Sequence, residues 1–79
     1  MNENITVKMT LDLKGLLCPM PVVKIAMAIK KVEIGDIIEA TATDPGVLAD
    51  MPAWANTSGN ELVSIEQGEV IVFRVRRLK

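Results

Sequence analysis

The sequence predicts an α/β (α+β) two-layer sandwich, in which two helices cover one face of a four-stranded mixed sheet. Apolar and polar residues alternate in four short segments, as in half-buried strands, and apolar residues recur at helical spacing in two others. The segments follow one another as β-α-β-α-β-β. A strand, a helix and a strand in succession favour a right-handed crossover with parallel pairing.

The strands are predicted over residues 5–13, 37–43, 62–66 and 69–77. In the second strand one face is expected to be apolar: Ile38, Ala40 and Ala42. In the third strand Val63 and Ile65 are expected to share a face. The last two strands, joined at Gln67-Gly68, are expected to form an antiparallel hairpin.

The first helix is predicted from Pro19 or Pro21 to Lys31, with one buried stripe made of Val22, Ile25, Ala26, Ile29 and Val32. A second helix is predicted within residues 47–55, where Pro52 would either delay its start or bend it.

Two carboxylates flank the start of that second helix. Asp50 is expected to cap a helix that begins at Met51, with lining a site as the alternative. Asp44, which precedes Pro45-Gly46, is expected to serve a turn.

Cys18, the only cysteine, lies in the predicted turn between the first strand and the first helix. Unpaired N–H groups and the positive end of the helix dipole favour a thiolate there, so we expect a lowered pKa for this thiol. Pro19 and Pro21 carry no N–H and are expected to hold Cys18 and Met20 in extended geometry. The sequence thus predicts an activated thiol on a stiff loop. The alternative is a small buried residue with a structural role.

A second face of the first helix combines flexible apolar and basic side chains at spacings of three and four: Met20, Lys24, Met27 and Lys31. We interpret it as a docking face for a partner protein beside the thiol. The alternative is a solvated surface with extended lysine side chains. Lys24 is also a candidate for favouring the Cys18 thiolate.

Composition excludes several kinds of site. The 79 residues suit a single domain over residues 1–79. One cysteine excludes an internal disulfide. With no histidine, a zinc or copper site of thiolate and imidazole ligands is excluded within one chain, as is Cys-His catalysis, and no cofactor is expected. No signal-peptide pattern opens the sequence and no apolar run reaches membrane-spanning length, so a cytoplasmic location without membrane binding is expected.

Residues 11–24, with Cys18-Pro19-Met20-Pro21 inside them, closely resemble the Cys-Pro-x-Pro signature of the TusA (SirA-like) sulfur carrier family. Later landmarks of the family follow in order over residues 35–36, 43–46, 50–55 and 59–62, so the resemblance spans about residues 11–77. It implies the same two-layer sandwich. It also implies that Cys18 accepts a sulfane sulfur as a persulfide and relays it to a partner, with Pro19 and Pro21 as the scaffold of the loop.

The resemblance implies protein partners on both sides of the relay. The sulfur donor would be a cysteine desulfurase or a rhodanese-like protein, and the acceptor would serve tRNA thiolation, cofactor assembly or sulfur metabolism. Met20 stands where the tRNA-thiolation member typically has an acidic residue, and Asn60 stands where a histidine is common. The resemblance therefore does not single out tRNA thiolation.

A sulfur-relay protein would be a small transferase rather than an enzyme that acts on a free metabolite. Two other functions are considered as alternatives to it. One is a regulatory or assembly module with a structural cysteine. The other is nucleic-acid binding through a basic end formed by Arg74, Arg76, Arg77 and Lys79. One Phe, one Trp, no Tyr and a net charge of -1 disfavour nucleic acid as the primary partner.

Overall fold

The computed structural model describes residues 6–79, which form a four-stranded mixed sheet with two helices packed on it. The elements run in the order β1 (Val7–Leu13), α1 (Met20–Ala28) followed by a 3-10 turn (Ile29–Lys31), β2 (Ile37–Ala42), α2 (Val47–Ser58), β3 (Glu61–Gln67) and β4 (Ile71–Arg76). The predicted fold class is confirmed. Ile5, predicted to open the first strand, lies outside the described residues. Neither helix in residues 6–79 is long and apolar enough to cross a bilayer.

The strands are ordered β1-β2-β4-β3 across the sheet. β1 pairs with β2 in parallel, and β4 pairs antiparallel with both β2 and β3, which confirms the predicted parallel pairing and the predicted hairpin. Leu13, at the end of β1, pairs with Ala42, at the end of β2. The loops that leave these two strands therefore begin side by side at one edge of the sheet.

The core lies between the inner face of the sheet and the two helices. The central strands contribute buried residues at every second position: Ile38, Ala40, Ala42, Ile71, Phe73 and Val75. From the first helical segment, Ile25, Ile29 and Val32 are buried as predicted, together with Pro21 and Ala28. Val22 and Ala26 are only half-buried, so the apolar stripe is rotated slightly from the predicted one.

β3 departs from the predicted alternation. Leu62 and Ile65, rather than Val63 and Ile65, pack against the core. The register between β3 and β4 shifts between Leu62 and Ser64, where one strand carries an extra residue. Such a bulge moves the following side chains to the other face, which simple alternation does not predict.

α1 begins at Met20, between the two predicted starts. The N–H of Met20 donates to the carbonyl of Leu17 (2.8 Å), which closes a turn across Cys18 and Pro19. Met20 is therefore helical, and the extended geometry predicted for it from Pro21 is wrong. A preference set by one neighbouring residue is overridden here by a closed turn and by the burial of Pro21.

α2 begins at Val47, so the predicted delay to Met51 is wrong. Gly46 is its N-cap, and Asp50 lies inside the first turn without capping the helix. Pro52 lies within the helix and is exposed, whereas the face carrying Val47 and Met51 is buried. Burial of that face offsets the hydrogen bond that proline cannot donate.

Candidate functional site

Cys18 lies where the loops that follow β1 and β2 meet. The N–H of Gly15 donates to Oγ1 of Thr43 (2.9 Å), and the N–H of Cys18 donates to Oδ2 of Asp44 (2.6 Å). These contacts follow from parallel pairing, because the carboxyl ends of adjacent parallel strands lie at the same edge of a sheet. The site is therefore assembled from two chain segments 26 residues apart.

Asp44 joins these segments with both of its carboxylate oxygens. While Oδ2 accepts the Cys18 N–H, Oδ1 accepts the N–H of Gly46 at 3.2 Å. The N–H groups of Cys18 and Gly46 lower the pKa of Asp44 because they stabilise its charged form. The predicted turn role is confirmed, and the cross-link to the Cys18 loop is an addition that local sequence signals do not show.

The Cys18 side chain rests on Gly46. A methyl group on Gly46 would lie 2.7 Å from Sγ of Cys18, so the thiol occupies the space that any other residue would fill. Cys18 is half-buried and contacts the edge of the core. Its neighbours Leu17 and Pro19 are exposed, whereas Pro21 is fully buried and anchors the start of α1. The thiol is therefore held in place but lies next to the surface.

Asp50 approaches the thiol from α2. Its N–H donates to the carbonyl of Gly46 (3.0 Å), which places Asp50 one helical turn beyond the residue on which Sγ rests. Helical side chains lean toward the amino end, so the Asp50 carboxylate is directed back toward the thiol. A hydrogen bond from the thiol to Asp50, burial and a hydrogen bond to Asp44, together with both negative charges, raise the pKa of Cys18 from 9.0 to about 12. The lowered pKa predicted from the sequence is wrong, and lining a site, the alternative considered for Asp50, describes its position.

The start of α1 does not favour the thiolate as predicted, because few of its N–H groups are free. Met20 donates to Leu17, Val23 donates to Pro19, and Pro21 has no N–H. The amino end of a helix carries about half an elementary charge, whereas Asp44 and Asp50 each carry a whole one. The carboxylates therefore outweigh the dipole.

Comparison with known proteins assigns the family. A family model described as "Sulfurtransferase TusA" matches residues 9–77, a range that includes the Cys18 loop and both helices. The chain belongs to this family. The resemblance carried by the Cys-Pro-x-Pro segment is confirmed.

Members of the TusA family differ in how much of their length this chain covers. It is 43% identical over 68 residues to the Bacillus subtilis protein YrkF. The matched region covers 85% of this chain but only 37% of YrkF. It is 35% identical over 68 residues to the sulfur carrier protein TusA of Allochromatium vinosum, with 85% of this chain and 90% of that protein covered. The crystal structure of a SirA-like protein from Desulfitobacterium hafniense has the same fold, with a TM-score of 0.70 and 20% identity over 90% of this chain and 99% of that one.

Three residues of the predicted docking face share a groove in this TusA-family fold, and the fourth lies outside it. Lys24, Met27 and Lys31 line a groove of 390 Å³ between α1 and the edge strand β1. Met20 is exposed nearer to Cys18 and lies outside that groove. The charged groups that act on the thiol are Asp44 and Asp50, so the second role considered for Lys24, favouring the thiolate, finds no support.

Exposed apolar residues also extend from the thiol loop along α1. Of these four residues, only Met20 and Met27 were predicted from the sequence. We define the α1 apolar row as Leu17, Met20, Val23 and Met27. Leu17 is 72% exposed and Met27 is 57% exposed, and Met20 and Val23 are exposed as well. Leu17 and Val23 were not predicted. Helical spacings of three and four place Val23 beside Met20 and Met27, whereas Leu17 precedes the helix and is joined to Met20 by the hydrogen bond of the turn.

The basic end considered for nucleic-acid binding is largely engaged within the chain. Arg74 pairs with Glu39 (2.8 Å) and donates to Ser64, and Arg76 pairs with Glu61 (2.7 Å). Arg77 donates to the backbone carbonyls of Val32 and Lys79. These arginine side chains bind the sheet and the carboxyl-terminal segment to the rest of the fold.

Proposed function

We propose that this chain is a sulfur carrier, in which Cys18 accepts a sulfane sulfur as a persulfide and passes it to a partner protein. The observation that carries the proposal is the placement of the only cysteine. Its thiol is held at the meeting point of two loops and is bordered by the exposed α1 apolar row. A protein surface of this kind suits docking against another protein, as large exposed apolar patches generally do.

Membership of the TusA family supports the same proposal, since the Allochromatium vinosum member is named a sulfur carrier protein. With one cysteine in the sequence, no second thiol of the same chain can resolve a persulfide. Each transfer must therefore be intermolecular. A thiol that has to stay reduced between transfers fits the reducing cytoplasm, where we place the relay.

The transfer step conserves atoms and electrons. The sulfur of Cys18 attacks the outer sulfur of a donor persulfide, the donor S–S bond breaks as a new S–S bond forms on Cys18, and the Cys18 proton ends on the released donor thiolate. Transfer to the acceptor repeats this exchange with Cys18 as the leaving thiolate. A cysteine desulfurase or a rhodanese-like protein would be a suitable donor, and the acceptor would belong to tRNA thiolation, cofactor assembly or sulfur metabolism.

Docking is proposed to involve the α1 apolar row together with the predicted lysines of α1. Lys24 and Lys31 flank the groove beside β1, and α1 contains no acidic residue. A partner with an apolar depression and nearby carboxylates would complement this face.

The proposal predicts that Cys18 alone carries the sulfur. Incubation with a cysteine desulfurase and cysteine should add about 32 Da to the intact protein, reversible by a thiol reductant, because the persulfide bond is open to thiol exchange. Mass spectrometry of wild type and Cys18→Ser tests this. Equal labelling of Cys18→Ser would overturn the assignment. The absence of labelling with both a desulfurase and a rhodanese-type donor would favour a module with a structural cysteine.

A further inference from the structure

The thiol of Cys18 is surrounded on one side by negative charge. Asp44 holds the Cys18 N–H through Oδ2, and Sγ rests on Gly46, one helical turn before Asp50. A methyl group placed on Gly46 would lie 2.7 Å from Sγ and 3.5 Å from Oδ2 of Asp44, so the thiol and this carboxylate are close neighbours. The Asp50 side chain leans back along α2 toward the same residue. The contacts place the S–H group among acceptors, which stabilise it as a neutral thiol.

The two helices beside the thiol have opposite charges. α1 and its 3-10 turn carry Lys24, Lys30 and Lys31 and no acidic residue, whereas α2 carries Asp50 and no basic residue. Within residues 6–79, the ion pairs join Arg74 to Glu39 and Arg76 to Glu61, both on the sheet. The described part of the chain thus places no cation against the two carboxylates at the thiol.

We propose that Asp44 and Asp50 are specificity-determining residues of the sulfur transfer: in the free protein they hold Cys18 as an unreactive thiol, and a partner makes it reactive by bringing a lysine or arginine against them. This inference rests on the proposed relay function and adds a requirement for the partner. The matching partner carries a cationic group next to its own reactive sulfur.

The physical reason is that the thiolate, not the thiol, is the nucleophile. A cation beside Asp44 and Asp50 cancels the charge that opposes ionisation, and it draws their hydrogen-bonding capacity away from the S–H group. Loss of the Cys18 proton then leaves one negative charge on sulfur beside an added positive charge. A free carrier with an ordinary thiol would react with any disulfide it met, so the requirement for a cation restricts reaction to proteins that dock correctly.

The first experiment measures how fast iodoacetamide alkylates the free protein as a function of pH. We expect Asp50→Asn to react about tenfold faster than wild type near pH ~8, since each unit by which the thiol pKa falls increases the thiolate fraction about tenfold. Glu33→Gln is the matched control, because it removes one exposed charge in the segment after the 3-10 turn that follows α1. Asp44→Asn should also accelerate alkylation, although it alters the loop contacts as well.

The second experiment tests the required charge directly, with two small disulfides in place of a partner. Cystamine carries two ammonium groups, and bis(2-hydroxyethyl) disulfide is neutral. The ratio of their exchange rates with Cys18 is expected to be severalfold higher for wild type than for Asp50→Asn, because only wild type retains both carboxylates for the ammonium group. Glu33→Gln should show the wild-type ratio.

Two results would overturn the inference: an alkylation profile of Asp50→Asn that coincides with wild type, or a cystamine preference that survives the substitution unchanged. Neither result depends on sulfur loading. A protein that takes up sulfur on Cys18 without this charge dependence would keep the relay and lose the cation requirement. A protein that shows the charge dependence but takes up no sulfur would lose the relay.

Discussion

At the scale of single residues, Gly46 determines where the thiol lies. Its backbone has φ -58° and ψ -24°, a conformation open to any residue, so no backbone requirement explains a glycine here. The space above its Cα is instead occupied by Sγ of Cys18, with Oδ2 of Asp44 at 3.5 Å from the position of a methyl group. The glycine is therefore explained by the side chain of another segment.

Substitution Gly46→Ala should change the reactivity of Cys18 more than the stability of the protein. The added methyl group would lie 2.7 Å from Sγ, which forces the thiol into another rotamer, away from Asp44 and Asp50. We expect faster alkylation of Cys18 near pH ~8, with a loss of about 1 kcal/mol or less in the free energy of unfolding because an alanine replaces glycine at an N-cap. Iodoacetamide kinetics and urea unfolding measure the two quantities.

Gly68→Ala is the control for that experiment. A methyl group on Gly68 would only reach the carbonyl of Val70, at 3.8 Å, which is ordinary contact. Its alkylation kinetics should match wild type. Wild-type kinetics in Gly46→Ala as well would show that the thiol does not rest on Gly46.

At the scale of elements, α1 has two separate tasks. One side buries Pro21, Ile25 and Ala28 against the sheet. Another leaves Met20 exposed beside the thiol loop and Met27 exposed about two turns farther along the helix. The helix spans only Met20–Ala28, so it is too short to be stable in isolation and depends on its buried side. Changes on the exposed side should therefore affect docking without unfolding the helix.

Met27→Gln tests the exposed side. Glutamine is a good helix former of similar length, so the fold should be kept, whereas the apolar contact with a donor protein is lost. Removing one anchoring side chain costs about 1–2 kcal/mol of binding, so KM for sulfur loading by the donor protein should rise about fivefold to thirtyfold. Steady-state loading with a purified desulfurase measures this.

Ile34→Gln is the matched control for Met27→Gln, because Ile34 is also exposed (67%) but lies in the turn after the 3-10 segment. It should leave KM unchanged. Iodoacetamide should alkylate both variants at the wild-type rate, since neither residue acts on the thiol. An equal rise in KM for both variants would indicate a general loss of apolar surface rather than docking through α1.

At the scale of the whole molecule, the order of elements was predictable, and so was the parallel pairing of β1 with β2. Both depend on periodic patterns and on the handedness of crossovers, which are general. The same pairing already implied that the residues after each strand would meet. The proximity of Asp44 to Cys18 could therefore have been inferred, but local turn signals at Asp44-Pro45-Gly46 pointed to a purely local role.

The thiol environment could not be predicted in the same way. The expectation of a lowered pKa considered only the helix that follows Cys18, whereas the dominant charges come from Asp50 in α2 and from Asp44 in the loop before it. The position of the Asp50 carboxylate depends on where α2 begins. Pro52 suggested that the helix begins late, but burial of the face that carries Val47 and Met51 overrides that tendency. The bulge in β3 was missed for a related reason, since it is set by pairing with β4 rather than by alternation within the strand.

Because the pKa of Cys18 is raised, the stability of the whole fold is expected to change with pH in the alkaline range. The folded state holds the Cys18 proton up to about pH 12, whereas an unfolded thiol releases it near its ordinary pKa of 9.0. The folded state therefore binds more protons between these values, and the free energy of unfolding should fall as pH rises from about 9 to about 12. Cys18→Ser removes this contribution, so urea unfolding across that range should show a shallower decline for Cys18→Ser than for wild type. Lysine titration affects both proteins alike, and identical slopes would show that the folded and unfolded thiols have the same affinity for a proton.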